Sequence, residues 1–234
     1  MPGSVFGPEL FTFLRALKRN NDRAWFAKNK GRYEQDVKEP VLEFIRAVKG
    51  PLHMAAPYLL ADPRPVGGSM FRIYRDTRFS KDKTPYKTHA SAHFRHAAGR
   101  DVHAPGVYLH LEPGSVFMGA GLWRPETDLA RKIRGAIAFN GPAFTRAISG
   151  KAFKTRFTLT GESLARPPKG FSPEHPLIEH LKRKDFIVEA KFTESQAVAP
   201  DFIARFASTT ALAAPFLAFL TRACALPGET RGRT

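Results

Sequence analysis

The densest chemistry in this chain lies in one run, Arg72-Ile73-Tyr74-Arg75-Asp76-Thr77-Arg78-Phe79-Ser80-Lys81-Asp82-Lys83-Thr84-Pro85-Tyr86-Lys87-Thr88-His89. Six cations (Arg72, Arg75, Arg78, Lys81, Lys83, Lys87) face two anions (Asp76, Asp82). A guanidinium presents a planar fork of donors that fits a phosphate or carboxylate, and Asp76 and Asp82 can orient such forks. Tyr74, Phe79 and Tyr86 interleave the cations, and rings beside basic groups are one way single-stranded nucleic acid is held. Arg72, Arg75, Arg78, Lys81, Lys83, Tyr86 and Lys87 are therefore the candidate ligand-binding residues. The ligand class they fit is phosphate-bearing: RNA, DNA or a small phosphorylated molecule.

Two other readings of the run stand beside this one. In the first, the chain is an enzyme on such a ligand, with Arg75, Arg78 and Lys83 stabilising charge and His89 or His93 carrying a proton. In the second, the run is an ion-pair brace or a protein-interaction surface, and Phe79 and Tyr86 pin it to the core. A basic stripe continuing on other segments would favour nucleic acid. A concave pocket would favour a small ligand. Saturation of the arginines by Asp76 and Asp82 would favour the brace.

Five histidines (His89, His93, His96, His103, His110) fall in one short span. Along a strand, His89 and His93 share a face but stand about 13 Å apart at about 3.3 Å per residue, too far to share a metal. Acidic residues are sparse there, Asp101 and Glu112 being the nearest. No metal or other cofactor is expected, and solvent-facing strand histidines are the default. Cys224 stands alone, so neither an intramolecular disulfide nor a cysteine metal site is available, and an inert buried thiol is expected. The chain has no G-x-S-x-G elbow, no P-loop and too few clustered carboxylates for a two-metal nuclease. Gly119-Ala120-Gly121 lacks a third glycine and a βαβ context, and reads instead as a place where a backbone or a ring such as Trp123 packs closely.

Composition sets the frame for this chemistry. The 234 residues carry a net charge of +16, densest in 61–100, which favours anionic partners. A hydrophobic content of 43% with twenty phenylalanines predicts a globular, aromatic core. The first residues lack signal-peptide features, and the longest apolar run, Ala211 to Leu220, is half a membrane span and holds Pro215. The expectation is a soluble, cytoplasmic chain with no membrane partner; its oligomeric state is open.

Hydrophobic spacing predicts the elements that position the run. Leu10, Phe11, Leu14 and Leu17 mark a first helix, and Asn21 or Asp22 caps a second. There Phe26, Tyr33, Val37, Val41, Ile45 and Val48 form one stripe, divided or kinked at Pro40 and ended by Gly50-Pro51. Phe71 to Tyr74 and Thr88 to Arg95 read as strands, with the cationic run as a long surface loop between them. Val107, Leu109 and Leu111 turn through Pro113-Gly114 into Val116, Met118 and Ala120 as a hairpin. A helix opening at Pro125 carries Leu129, Ile133 and Ile137 and stops at Asn140-Gly141. A loop over 167–170, a short helix from Ser172, a strand over Phe186 to Phe192 and a last helix over about 201–222 follow. Helices at both ends of a mainly antiparallel sheet make an α+β fold, one domain over 1–226 with a flexible tail at 227–234.

The 72–89 run resembles the signature of the domain-of-unknown-function 2461 family, found in bacteria and fungi. Asn21 to Phe26, the Tyr108 strand and Gly119 to Pro125 are similar to it too, so the likeness spans about Leu10 to Phe192. The resemblance implies one domain and no known activity. It also implies that three motifs meet in space, which makes Arg23, Trp25 and Trp123 candidate neighbours of the loop.

Overall fold

The computed structural model describes residues 4–99 and 104–226; Asp101, His103 and the tail at 227–234 lie outside them. The N-terminal third is helical. α1 (Pro8–Arg19) is followed by α2 (Arg23–Tyr33), whose N-cap Asp22 accepts a hydrogen bond from the Trp25 amide at 2.8 Å. A π-helical stretch (Glu34–Lys38) then joins α2 to α3 (Glu39–Ala55) without a break. The expected stripe is buried throughout, from Phe26 to Val48, and Pro40 sits in the first turn of α3, directly after the π-helical stretch. Gly50-Pro51 does not end the helix. Both residues are exposed, and burial of Leu52 beyond them carries α3 on until the Ala56 amide closes on the Leu52 carbonyl at 2.8 Å.

The sheet is antiparallel throughout, in the order β1-β2-β3-β5-β4. Its strands are β1 (Ala90–Arg95), β2 (Gly106–Glu112), β3 (Ser115–Leu122), β4 (Thr158–Thr160) and β5 (Phe186–Phe192). Phe71 to Tyr74 does not form the expected strand. Isolated bridges mark its two ends instead, Met70 with Ala92 just before it and Tyr74 with Tyr86. Between the strands lie α4 (Thr127–Phe139), α5 (Gly141–Ser149), α6 (Lys151–Arg156) and the four-residue α7 (Ile178–Leu181); α8 (Glu194–Ala197) and α9 (Phe202–Ala223) follow β5. α4 starts two residues after Pro125, with Glu126 as its N-cap. The residues from Ser172 form turns before α7 rather than a helix.

One contiguous core sits between the sheet and the helices. Strand alternation sends Ala92, Phe94, Leu109, Met118 and Val188 to that side, where Phe44 of α3 meets Phe206 of α9 edge-on at 5.3 Å. Among the described residues α9 alone is long and apolar enough for a membrane span by length and composition, but Phe206, Phe216 and Leu220 are buried in this core. Among the described residues the opposite face of the sheet carries no helix pair comparable to α3 and α9, and it holds the site.

Candidate functional site

Residues on that second face fall into rows set by the strand register. His93 pairs with Tyr108, Tyr108 with Gly119, Gly119 with Glu189, and Glu189 with Thr158. The next row runs Ser91, His110, Phe117, Lys191. β3 is the central strand, and it carries glycine at 119, where any other residue would raise a side chain above the sheet, and at 121. A hollow of about 490 Å³ results. Phe71 and Lys87 wall one side of it and Trp123 and Thr160 the other, with His89, His93, Tyr108 and Glu189 also facing in. The glycine pair read from the sequence as a close-packing device does that at Gly121, which lies against the Phe186 carbonyl, and at Gly119 it leaves space.

The polar groups of the hollow are few and mostly sheltered. Burial pushes His93 down to about 4, with Arg95 adding to the effect. Burial likewise pushes His89 to about 4, helped by His110 and Lys87. Lys87 is lowered by burial and by Arg72, and its ammonium lies 5.2 Å from the centre of the Phe71 ring. These histidines are not solvent-facing, as the default reading had them. His96 and His110 are buried as well, His96 stacked on the Tyr58 ring on the core side and His110 on Phe117 on the second face.

The depressed His93 carries a testable consequence. In the unfolded chain it takes up a proton near its ordinary 6.5, whereas in the fold it stays neutral until about 4. The unfolded state therefore binds more protons in that window, and stability falls as pH drops from 6.5 toward 4. By pH 5 the His93 share is about 2 kcal/mol. Urea titrations at pH 7 and pH 5 should show His93→Gln losing that much less than wild type; equal losses would refute the assignment.

The cationic loop is closed at its base by two backbone bonds, Arg75 N–H to the Pro85 carbonyl at 2.9 Å and Lys87 N–H to the Ile73 carbonyl at 2.8 Å. Within it Arg75 is paired with Asp82 and Thr84, and Arg78 donates two bonds to Asp76 at 3.0 and 2.7 Å. The Arg78 side chain pulls Asp76 down to about 2, and the Thr84 amide and Arg75 do the same to Asp82. Lys83 donates to the Thr77 carbonyl at 2.9 Å. Arg72 and Lys81 are exposed. Phe79 is 95% exposed and pins nothing, whereas Tyr86 is buried and stacks on Phe26 with ring centres 4.1 Å apart. Asn21 brackets Tyr86 with two backbone bonds, at 2.9 and 3.1 Å. The α2 motif and the loop thus meet through Asn21 and Phe26, and the Arg23 charge also acts on Tyr86, while the Trp25 ring packs on Phe13. Of the loop residues singled out from the sequence, only Lys87 and His89 reach the hollow, where Trp123 joins them.

Sequence reasoning missed a cluster at the end of the hollow. His89, just before β1, lies 4.4 Å ring to ring from His110 of β2, and His110 Nε2 stands 3.3 Å from Glu112 Oε2. Burial lowers His110, opposed by Glu112. Burial works to raise Glu112, but bonds from Thr88 and His110 prevail and hold it below the ordinary carboxylate range. Spacing along one strand could not reveal this group, because His89 and His110 become neighbours only when β1 pairs with β2. A period-2 reading of both strands, folded together, would have found it. Sequence reasoning also missed Asp185, which is buried and accepts the Arg124 and Glu162 amides, each at 2.8 Å. Those bonds fix the turn that carries Trp123. Cys224 is half-buried, and burial pushes its thiol to about 11, as an inert thiol requires.

No curated protein and no solved structure matches this chain. One family model does, the conserved hypothetical protein family DUF2461, over residues 9–219. The match runs from α1 into α9 and so takes in the sheet, the hollow and the loop. It also extends past Phe192, where the resemblance read from the motifs had ended. The chain belongs to the DUF2461 family of conserved hypothetical proteins.

Proposed function

We propose that this chain binds a small molecule in the sheet-face hollow, one with an aromatic or apolar body and a phosphate or carboxylate at Lys87. The observation that carries the reading is the hollow itself: apolar and aromatic walls around a few inward-facing polar groups, the usual make-up of a small-ligand site. Phe71, Tyr108, Phe117 and Trp123 suit a flat ring, and Lys87 is the cation among the lining residues. His89 and His93, neutral down to about 4, suit hydrogen bonding to the ligand better than proton transfer near neutral pH. In this reading the loop is a brace for one wall, its Arg75 and Arg78 spent on Asp82 and Asp76.

Trp123 reports occupancy. 1-Naphthyl phosphate should quench its fluorescence saturably, and 1-naphthol should bind at least about tenfold more weakly, the worth of one charge-assisted contact. Lys87→Met should erase that difference, while Arg75→Ala/Arg78→Ala should preserve it. A labelled single-stranded oligonucleotide is the contrast: tight, salt-sensitive binding abolished by the double arginine variant would replace this reading with nucleic acid.

A further inference from the structure

We infer that His89, His110 and Glu112 form a binding site for a divalent transition metal of the zinc or ferrous-iron class, at the end of the hollow where β1 begins and β2 ends. One donor atom from each lies within 4.8 Å of the other two. A metal bonded tetrahedrally at about 2.0–2.1 Å sets its ligand atoms about 3.4 Å apart. His110 Nε2 and Glu112 Oε2 already stand at 3.3 Å. Only His89, a half-exposed residue outside the regular strand, has to draw in.

The supporting contacts are those a metal site needs. Tyr108 Oη lies 2.9 Å from His110 Nδ1, so with Nδ1–H donating to that oxygen the Nε2 lone pair is turned toward Glu112. Thr88 Oγ1 donates to Glu112 Oε1 at 2.9 Å and leaves Oε2 for the metal. Such outer contacts fix ring orientation and carboxylate direction in metal centres. Two imidazoles and one carboxylate select zinc, iron or manganese over calcium or magnesium, which take oxygen ligands. Lys18 Nζ, 3.8 Å from Glu112 Oε1, opposes cation binding, but its side chain is 63% exposed and largely screened. Three protein ligands leave coordination positions open, and His89 belongs to both the cluster and the hollow.

The test is titration of the full chain, tag-free and metal-stripped, with Co²⁺ and then Zn²⁺. One equivalent of Co²⁺ should produce visible ligand-field bands that Zn²⁺ displaces. Glu112→Gln and His110→Ala should each weaken binding by about 100-fold, and Thr88→Val by about tenfold, the range for an outer-contact partner. Circular dichroism establishes that each variant is folded; should His110→Ala unfold, His89→Gln at its half-exposed position reads the same ligand set. Absence of stoichiometric bands, or unchanged affinity in the folded ligand variants, overturns the site. Naphthyl phosphate binding is read separately by Trp123, so failure of either inference leaves the other standing.

Discussion

Gly121→Ala is expected to destabilise the protein by about 4 kcal/mol, the sum of a backbone penalty and a steric one. Gly121 has φ +124°, a region that residues with a Cβ rarely enter, and strain there costs about 1–3 kcal/mol. The added methyl would also press on the Phe186 carbonyl oxygen and sit 3.1 Å from Ile187 Cα. Both are backbone atoms of β5, paired with β3 at this position, so neither can swing aside. Overpacking of this kind adds about 1–3 kcal/mol. Gly119→Ala is the matched control. Its Cβ would meet Tyr108 Cβ at 3.8 Å, an ordinary contact, so stability should change by under about 1 kcal/mol while the floor of the hollow rises. Urea midpoints and naphthyl phosphate affinity should therefore separate the pair: a large stability loss marks 121, an affinity loss with little change in stability marks 119. Equal stability of Gly121→Ala and wild type would mean that β3 and β5 are not held in this register.

How much of this was legible in the sequence depends on how local each determinant is. The Phe26 to Val48 stripe survives a π-helical stretch and Pro40 because burial, not propensity, dictates it, so spacing alone reveals it. The β2–β3 hairpin was legible because Pro113-Gly114 encodes the turn where it occurs. The insertion of β5 between β3 and β4 had no such local mark. β4 is three residues long and is defined only by its pairing with β5. Phe71 to Tyr74 has strand composition, yet its hydrogen bonds join Ser91 and Lys87 at separate points, and no local pattern distinguishes that from a ladder.

The site divides in the same way. The charge of the 72–89 run was plain, but its pairing was not. Asp76 and Arg78 are two residues apart, and Asp82 reaches Arg75 only because the loop closes at Pro85. Six cations therefore advertised more than the fold leaves available. The hollow, by contrast, has only Lys87 and Glu189 as charged lining residues, and no cluster of charge in the sequence announces it. Its floor is two glycines and its walls are aromatic, chemistry that a search for reactive side chains passes over. Lys87 and His89, at the end of the run, are where the two descriptions meet.

Phe44→Ala is the second large effect, and it falls on the opposite face of the sheet. Phe44 is fully buried, with ring centres of Phe6, Phe202 and Phe206 at 5.2, 5.7 and 5.3 Å and Phe94 of β1 at 6.4 Å. Deleting such a ring removes its transfer free energy and leaves a cavity that the neighbouring rings only partly fill, about 3–5 kcal/mol in all. For a chain of this size that is a melting-temperature drop of about 6–20 °C. The urea midpoint should fall with an unchanged slope, since the loss is in the native packing. Affinity for naphthyl phosphate should stay within about twofold while the variant remains folded, because α3 and α9 touch the sheet from the side away from the hollow. A matching loss of affinity would show instead that helix packing sets the shape of the hollow through β1, and the two faces would then have to be treated as one cooperative site.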